Sequence, residues 1–579
     1  MSDLLNQASL VMVPSGYKED TVYSVVPSDG SGDLSFTRAS NGTRVNSAGL
    51  VEVVAWNLLQ QSETFDNAYW SKAQVTVSAN ATTAPNGTTT ADKIISSAVN
   101  DEHVIYYFES NILSQVVTMS AYVKKADYRY AVLRSFTNGG YQISVFDLDN
   151  GIVSSQVLGA STIENVGNGW YRISTTFTAP AGTYGVQYGF SATPTYSYLG
   201  NGTSGNFLWG AQLNIGSTAK PYFPTTDRLN VPRLTYQNGG GGCPSLLLEK
   251  QSTNLVTYSE QFDNAGWVKG DTTVTANATT SPDGTINADL LIDNSTNDLH
   301  YCAQNVSTSA GSHTFSFYAK ANTLSHCGIR LYDGSIYDSA IFNLSNGTKG
   351  SGDGEIESVG NGWYRVSLTK TLITATTYFN IFLSNGTTYT YSGSGQSIYI
   401  WGAQYEASSY KTSLINTTSS SATRVADVCT KNGIGALIGT NFTIFFDGFA
   451  AIGGDYNRYI VLKGTGGTYA NFIALEDNPP KKIAVNVLNN SSAPIFSTLS
   501  GTLTTGQRIK MALRCKNNDF AFYINGALIG SQASGSVPTT ADLYLGYYTD
   551  YPENGNKINQ AVIFNTGLSN SDLIALTTI

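Results

Sequence analysis

The chain is 579 residues long, too long for one hydrophobic core and suited to roughly four domains at about 150 residues each. Charged residues make up only 13%, while Gly at 57 and Tyr at 36 are abundant, which disfavours helix bundles and favours β-sandwiches with polar loops. A formal charge of −9 with no Lys/Arg run excludes a nucleic-acid footprint, and no stretch of about 18 apolar residues offers a membrane span.

Residues 1–56 read as a unit of their own, with short strands at Thr21–Val26 and Leu34–Thr37 between turns such as Asn41-Gly42. The segment is short for an independent core. It is expected to be an arm or docking module, ordered by a partner or a neighbouring copy. Its apolar patches lack a basic lead-in, so no signal peptide is expected.

A repeat organises the middle of the chain. Val-Gly-Asn-Gly-Trp-Tyr-Arg occurs twice, at Val166–Arg172 and Val359–Arg365. Around it, Phe65-Asp66-Asn67 and Trp70 match Phe262-Asp263-Asn264 and Trp267. Ala91-Asp92, His103 and Arg134 match Ala288-Asp289, His300 and Arg330. The repeats span 57–226 and 254–427. Strands recur in each at short intervals, with no helical period over ten residues, which predicts sandwiches or jelly rolls. Between them, 227–253 carries Gly239–Gly242 and then Leu246–Leu248, read as a flexible joint followed by a strand that docks elsewhere. The last module, 428–579, predicts strands at Phe442–Phe446, Ile460–Leu462 and Phe520–Ile524, a tight hairpin at Asn525-Gly526, and a capped helical turn at Ser569–Ile574.

The candidate binding residues are aromatic, because a flat ring matches the C–H face of a sugar. Tyr196 and Tyr198 match Tyr389 and Tyr391, in polar loops followed by glycine. Trp170 and Trp363 follow Asn-Gly turns and are open to either role, whereas Trp209 and Trp401 lie within apolar strands and read as core. The five cysteines, odd in number and scattered, imply no disulfide framework and folding in a reducing cytoplasm. Three His and two Cys in the second repeat lack zinc spacing and read as structural. Asp66, Asp92, Asp263 and Asp289 read as turn caps. No Gly-x-Ser-x-Gly elbow or His-Glu-x-x-His occurs, so no catalytic residue, metal or cofactor is assigned.

The order Asn57-Leu58-Leu59, Phe65-Asp66-Asn67, Gly169-Trp170-Tyr171-Arg172, Phe207–Leu213, repeated through Ile400-Trp401-Gly402-Ala403-Gln404, resembles jelly-roll carbohydrate-binding modules. In those modules the last strand often carries paired aspartates, and some hold calcium; here Trp-Gly-Ala-Gln stands in that place. Residues 428–579 resemble the laminin-G-like, concanavalin A-type sandwich through Phe522–Gly526, Leu543–Gly546 and Ala561–Asn565. Ser35–Ser40, Thr43-Arg44-Val45, Gly49–Glu52 and Cys243–Glu249 resemble lead-ins of tailed-bacteriophage virion proteins, such as those of the crAss-like group.

The expected fold is therefore all-β: tandem jelly-roll sandwiches, a C-terminal concanavalin A-like sandwich and a short N-terminal docking arm. The resemblances imply a non-enzymatic appendage of a phage head, collar or tail. It would be made in the host cytoplasm, docked on other virion proteins through the arm, homo-oligomeric (commonly trimeric by analogy) and in contact with host-surface or mucosal glycans. The alternatives are a purely structural decoration or collar protein, a polysaccharide depolymerase with two carboxyls about 5–9.5 Å apart, and a bacterial surface lectin.

Overall fold

The computed structural model describes residues 4, 6–112, 115–137, 140–156, 159–180, 182–332, 335–373, 376–450, 457–478, 482–504, 506–546 and 556–579; residues 1–3 and 5 of the N-terminal segment lie outside them. The chain is all-β and divides into two compact units, Val54–Leu229 and Met1–Val53 together with Asn230–Ile579.

The first unit is a jelly-roll sandwich of two six-stranded antiparallel sheets. One runs Ile152–Gln156, Gly140–Asp147, Tyr130–Thr137, Gly182–Ser191, Val104–Ile112, Ser71–Ala73. The other runs Ala160–Gly167, Trp170–Ala179, Gln115–Lys124, Gly205–Ile215, Ala91–Ser96, Val75–Thr82. The second repeat has the same two sheets with the same strand order, from Val268–Gly270 through Tyr301–Ser307, Thr376–Ser384, His326–Tyr332 and Tyr337–Asn343 to Thr348–Ser351 in one of them. Alternate side chains along each strand enter the core: Leu133 and Val186 in one repeat, Ile329 and Ile381 in the other, all buried.

Motifs shared by the repeats are structural devices. Asn57 is fully buried; its amide donates to Ala211 O and Phe223 O at 3.0 and 3.1 Å and accepts from Leu59 N and Leu213 N at 3.1 and 3.2 Å. Asn254 does the same with Ala403 O, Ile415 O, Val256 N and Tyr405 N. Each uses all four of its strong hydrogen-bonding positions, so burial leaves none unmet. Asp92 ties Phe65 N and Asn80 N, and Asp289 ties Phe262 N and Asn277 N. Burial raises Asp289 to about 6 against those two bonds. In the repeated heptapeptide, Asn168 and Gly169 (φ 52 and 78) and Asn361 and Gly362 (φ 53 and 77) form the left-handed pair that a two-residue hairpin requires.

The terminal sandwich recruits residues far apart in sequence. Its eight-stranded sheet contains Arg233–Thr235, Ser245–Leu248, Asn556–Phe564, Asn441–Phe449, Arg508–Lys516, Asp519–Ile524 and Ala527–Gln532, with Ala8–Met12 also paired to Asn556–Phe564. The nine-stranded sheet opposite begins with Tyr17–Lys18, Thr21–Val22 and Leu34–Thr37, the last paired to Val428–Lys431. Leu10, Met12, Leu34 and Phe36 are completely buried in that core. The N-terminal segment is therefore not a free docking arm: its strands and apolar side chains are spent inside its own chain. The stretch expected to be a joint is likewise a hairpin, whose Leu234, Leu246 and Leu248 fill the same core. Asn525-Gly526 makes the expected tight turn, and Asn570–Thr577 forms a short helix capped by Ser569 with Asp572.

Buried charge holds these pieces together. Arg38 pairs with Asp427 at 2.8 Å, Arg233 with both Glu249 (2.7 Å) and Asp427, and Arg424 with Glu249 at 3.1 Å. All three guanidinium side chains are inaccessible to solvent. Ser413 donates to Glu249 from both N and Oγ, at 2.8 and 2.6 Å, and Glu249 N donates to Asp427 at 2.8 Å. Burial pulls Arg38 down to about 10 against the pull of Asp427. Burial would raise Glu249, but Arg424, Arg233 and the Ser413 bonds outweigh it and hold the carboxyl well below its usual range. Removing one charge strands the others in a solvent-inaccessible interior. Asp427→Asn is therefore expected to destabilise this unit by about 3–5 kcal/mol, read by urea unfolding; a change within experimental error would contradict this role.

Candidate functional site

The outer face of one sheet in each jelly roll carries an arginine between tyrosine rings. Leu133 and Val186 point into the core, so Arg134 and Gln187, one residue along, point out. The Arg134 guanidinium lies 3.9 Å from the Tyr141 ring centroid and 4.9 Å from that of Tyr196. Arg330 repeats this between Tyr337, at 3.9 Å, and Tyr389, at 5.1 Å. A guanidinium over a ring face gains from the ring quadrupole. Tyr141 and Tyr337 are about half exposed, at 45% and 50%, and Tyr389 is 38% exposed.

More aromatic surface surrounds each arginine. In the first repeat, Phe136 packs on Tyr141 and Phe108 on Tyr106 and Phe136. In the second, Tyr332 packs on Tyr337 and Tyr378 faces Tyr332 across the ladder. Glycine makes room for these rings: Phe108 lies over Gly185, and Phe382 lies so close to Gly328 that any Cβ there would collide with it. A two-stranded ribbon forms the rim. It pairs Asn100–Glu102 with Ser197–Leu199 in one repeat and Asn297–Leu299 with Thr390–Ser392 in the other.

The six residues singled out by sequence part company here. Tyr196 and Tyr389 reach the surface beside the arginines. Tyr198 and Tyr391, each 8% exposed, turn inward from the ribbon to pack on His103 and His300. Burial and the bond from its hydroxyl to Asp293 at 2.7 Å push Tyr391 up. Trp170 and Trp363 are buried at the head of their strands, donating to Thr83 O and Thr280 O at 3.1 Å. Neither tryptophan can form a surface platform. Sequence reasoning used Arg134 and Arg330 only as register markers and missed Tyr141 and Tyr337; the alternation Arg134-x-Phe136 and Arg330-x-Tyr332 was the available signal.

His103 bridges Gln74 O and Tyr198 O at 2.7 and 3.1 Å, and His300 bridges Asp271 O and Tyr391 O at 2.9 and 3.2 Å. All five cysteines are free thiols, four of them buried. Among the described residues no group of three or more His, Cys, Asp or Glu is placed to hold a metal ion.

A scan against protein-family models finds no match, and neither does a search of curated proteins. Among solved structures, the CBM40 of the Ruminococcus gnavus IT-sialidase bound to alpha2,3 sialyllactose is 17% identical, over 24% of this chain and 84% of that one, at a TM-score of 0.23. Domains LG4-5 of the mouse laminin alpha1 chain are 12% identical, over 47% of this chain and 85% of that one, at a TM-score of 0.17. Trypanosoma rangeli sialidase is 11% identical, over 88% and 98%, at a TM-score of 0.22.

Because Trp363 fills the interior, Trp363→Ala is expected to cost about 3–5 kcal/mol of stability by urea unfolding. An unchanged unfolding midpoint would contradict this assignment.

Proposed function

We propose that the chain is a non-enzymatic glycan-binding protein, displayed on a tailed-phage particle, whose jelly rolls present aromatic–arginine faces to host-surface sugars. The observation that carries this is the exposed Tyr337–Arg330–Tyr389 stack. Ring faces receive the apolar face of a pyranose, and a guanidinium beside them supplies donors for ring oxygens, hydroxyls or acid groups. Open, shallow surfaces of this kind bind weakly, and several copies in a particle would gain by avidity. An oligomer, trimeric in the simplest case, would supply those copies.

The virion placement draws on the resemblance of residues 35–52 and 243–249 to phage lead-ins. Of those stretches, Leu34–Thr37 and Ser245–Leu248 are strands of the terminal sandwich, while Gly42–Val45 and Val51–Val54 pair in a small sheet of their own. Docking on other virion proteins is therefore assigned to the outside of that folded unit, not to a loose arm. The first repeat serves as a spacer, since its arginine is neutralised from within by Glu102.

On a glycan array, the wild-type protein is expected to bind a subset of glycans, and Tyr337→Ala/Tyr389→Ala to bind them about tenfold more weakly. Undiminished binding by the folded variant would move the site elsewhere, and no binding by the wild type would leave a purely structural component. Immunogold labelling with an antibody to the protein is expected to decorate intact particles. Label confined to the soluble fraction of a lysate would overturn the virion placement.

A further inference from the structure

The first repeat shows what its arginine takes. Glu102 grips Arg134 with both oxygens, Oε1 to Nη1 at 2.7 Å and Oε2 to Nη2 at 2.6 Å, and Gln187 accepts from Nε. Arg134 is 2% exposed, so this is a closed, self-satisfied fork.

The second repeat keeps the arginine and both tyrosines but changes both partners. Leu299 replaces Glu102, immediately before the matched histidine and at the same place on the rim ribbon: Glu102 pairs with Ser197, Leu299 with Thr390. Asn380 replaces Gln187 on the neighbouring strand, still paired with the arginine. One methylene shorter, it leaves Asn380 Oδ1 and Arg330 Nε both buried with no hydrogen-bond partner, although Asn380 is only 1% exposed. Among the described residues no carboxylate lies within ion-pair distance of Arg330. Arg330 is also the more accessible of the two arginines. Nε is the edge that Gln187 fills in the first repeat; the Nη edge, which Glu102 fills there, has Leu299 at the matched position here.

We infer that the Arg330 face binds the carboxylate of an acidic sugar, a uronic or nonulosonic acid, held by the guanidinium where Glu102 sits in the first repeat. Tyr337 and Tyr389 flank the sugar ring. This deepens the glycan-binding reading and rests on it.

The test is calorimetric titration of the full-length protein with four probes: trigalacturonate, the methyl glycoside of N-acetylneuraminic acid, and the methyl ester of each. The free acid of at least one pair is expected to bind, with its ester about tenfold or more weaker, since only the charge is removed; which pair responds assigns the source. Leu299→Glu, which installs the first repeat's own carboxylate, is expected to abolish that binding. Glu102→Leu/Gln187→Asn is expected to raise the stoichiometry from one site to two. Both variants use residues that one repeat already accommodates, and the gain of a site cannot come from misfolding. Equal binding of acids and esters, unchanged by Leu299→Glu, would overturn the carboxylate inference and leave the glycan reading standing. Failure of all four probes, together with every neutral glycan on the array, would overturn both.

Discussion

Five charges closed off from bulk solvent decide how this chain is put together. Arg38, Arg233 and Arg424 come from three distant segments, and Glu249 and Asp427 are the carboxylates that satisfy them. No segment can bring its own charge into the interior alone, because an unpaired ion in a dry core costs more than its packing returns. The N-terminal strands, the leucine hairpin and the exit of the second jelly roll must therefore arrive together. Arg38 and Glu249 meet at Asp427, the first through its guanidinium and the second through its backbone N–H. The first jelly roll is in sequence an insertion between Val53 and Asn230, and its own two sheets close its core.

Within the duplicated jelly rolls, the shared motifs do two kinds of work. The Asn57/Asn254 and Asp92/Asp289 bonds, the Asn-Gly hairpins and Trp170/Trp363 all serve the interior or the turns. On the outer face, Glu102 becomes Leu299, Gln187 becomes Asn380, and Gly185 becomes Tyr378. The arginine and its two tyrosines are kept on both outer faces, and what differs there is the set of groups that meet the arginine. One surface is sealed by its own glutamate; the other offers the same arginine between two exposed rings.

Strand content, the repeat register and the terminal sandwich were legible because alternation and turn chemistry are local signals. Pairing partners were not, since Leu10–Met12 or Leu34–Phe36 reads the same whether its neighbour is another chain or residue 563. The glycine run misled because glycine has two uses. At Gly49 and Gly240 the demand is close approach: a Cβ on either would collide with the backbone of the other turn. The site was half legible. Tyr196 and Tyr198 are two apart, and the ribbon's geometry sends one to the arginine and the other to the buried histidine, a choice no composition rule makes. Arginine stacked on tyrosine is a contact across strands, visible only once the register is known.

The most direct measurement is a crystal structure of the full-length protein with an oligosaccharide that it binds. The account predicts sugar density over the Tyr337–Arg330–Tyr389 stack of the second jelly roll, with the matching face of the first left bare. Density confined to the terminal sandwich, or to any surface without Arg330, would contradict it.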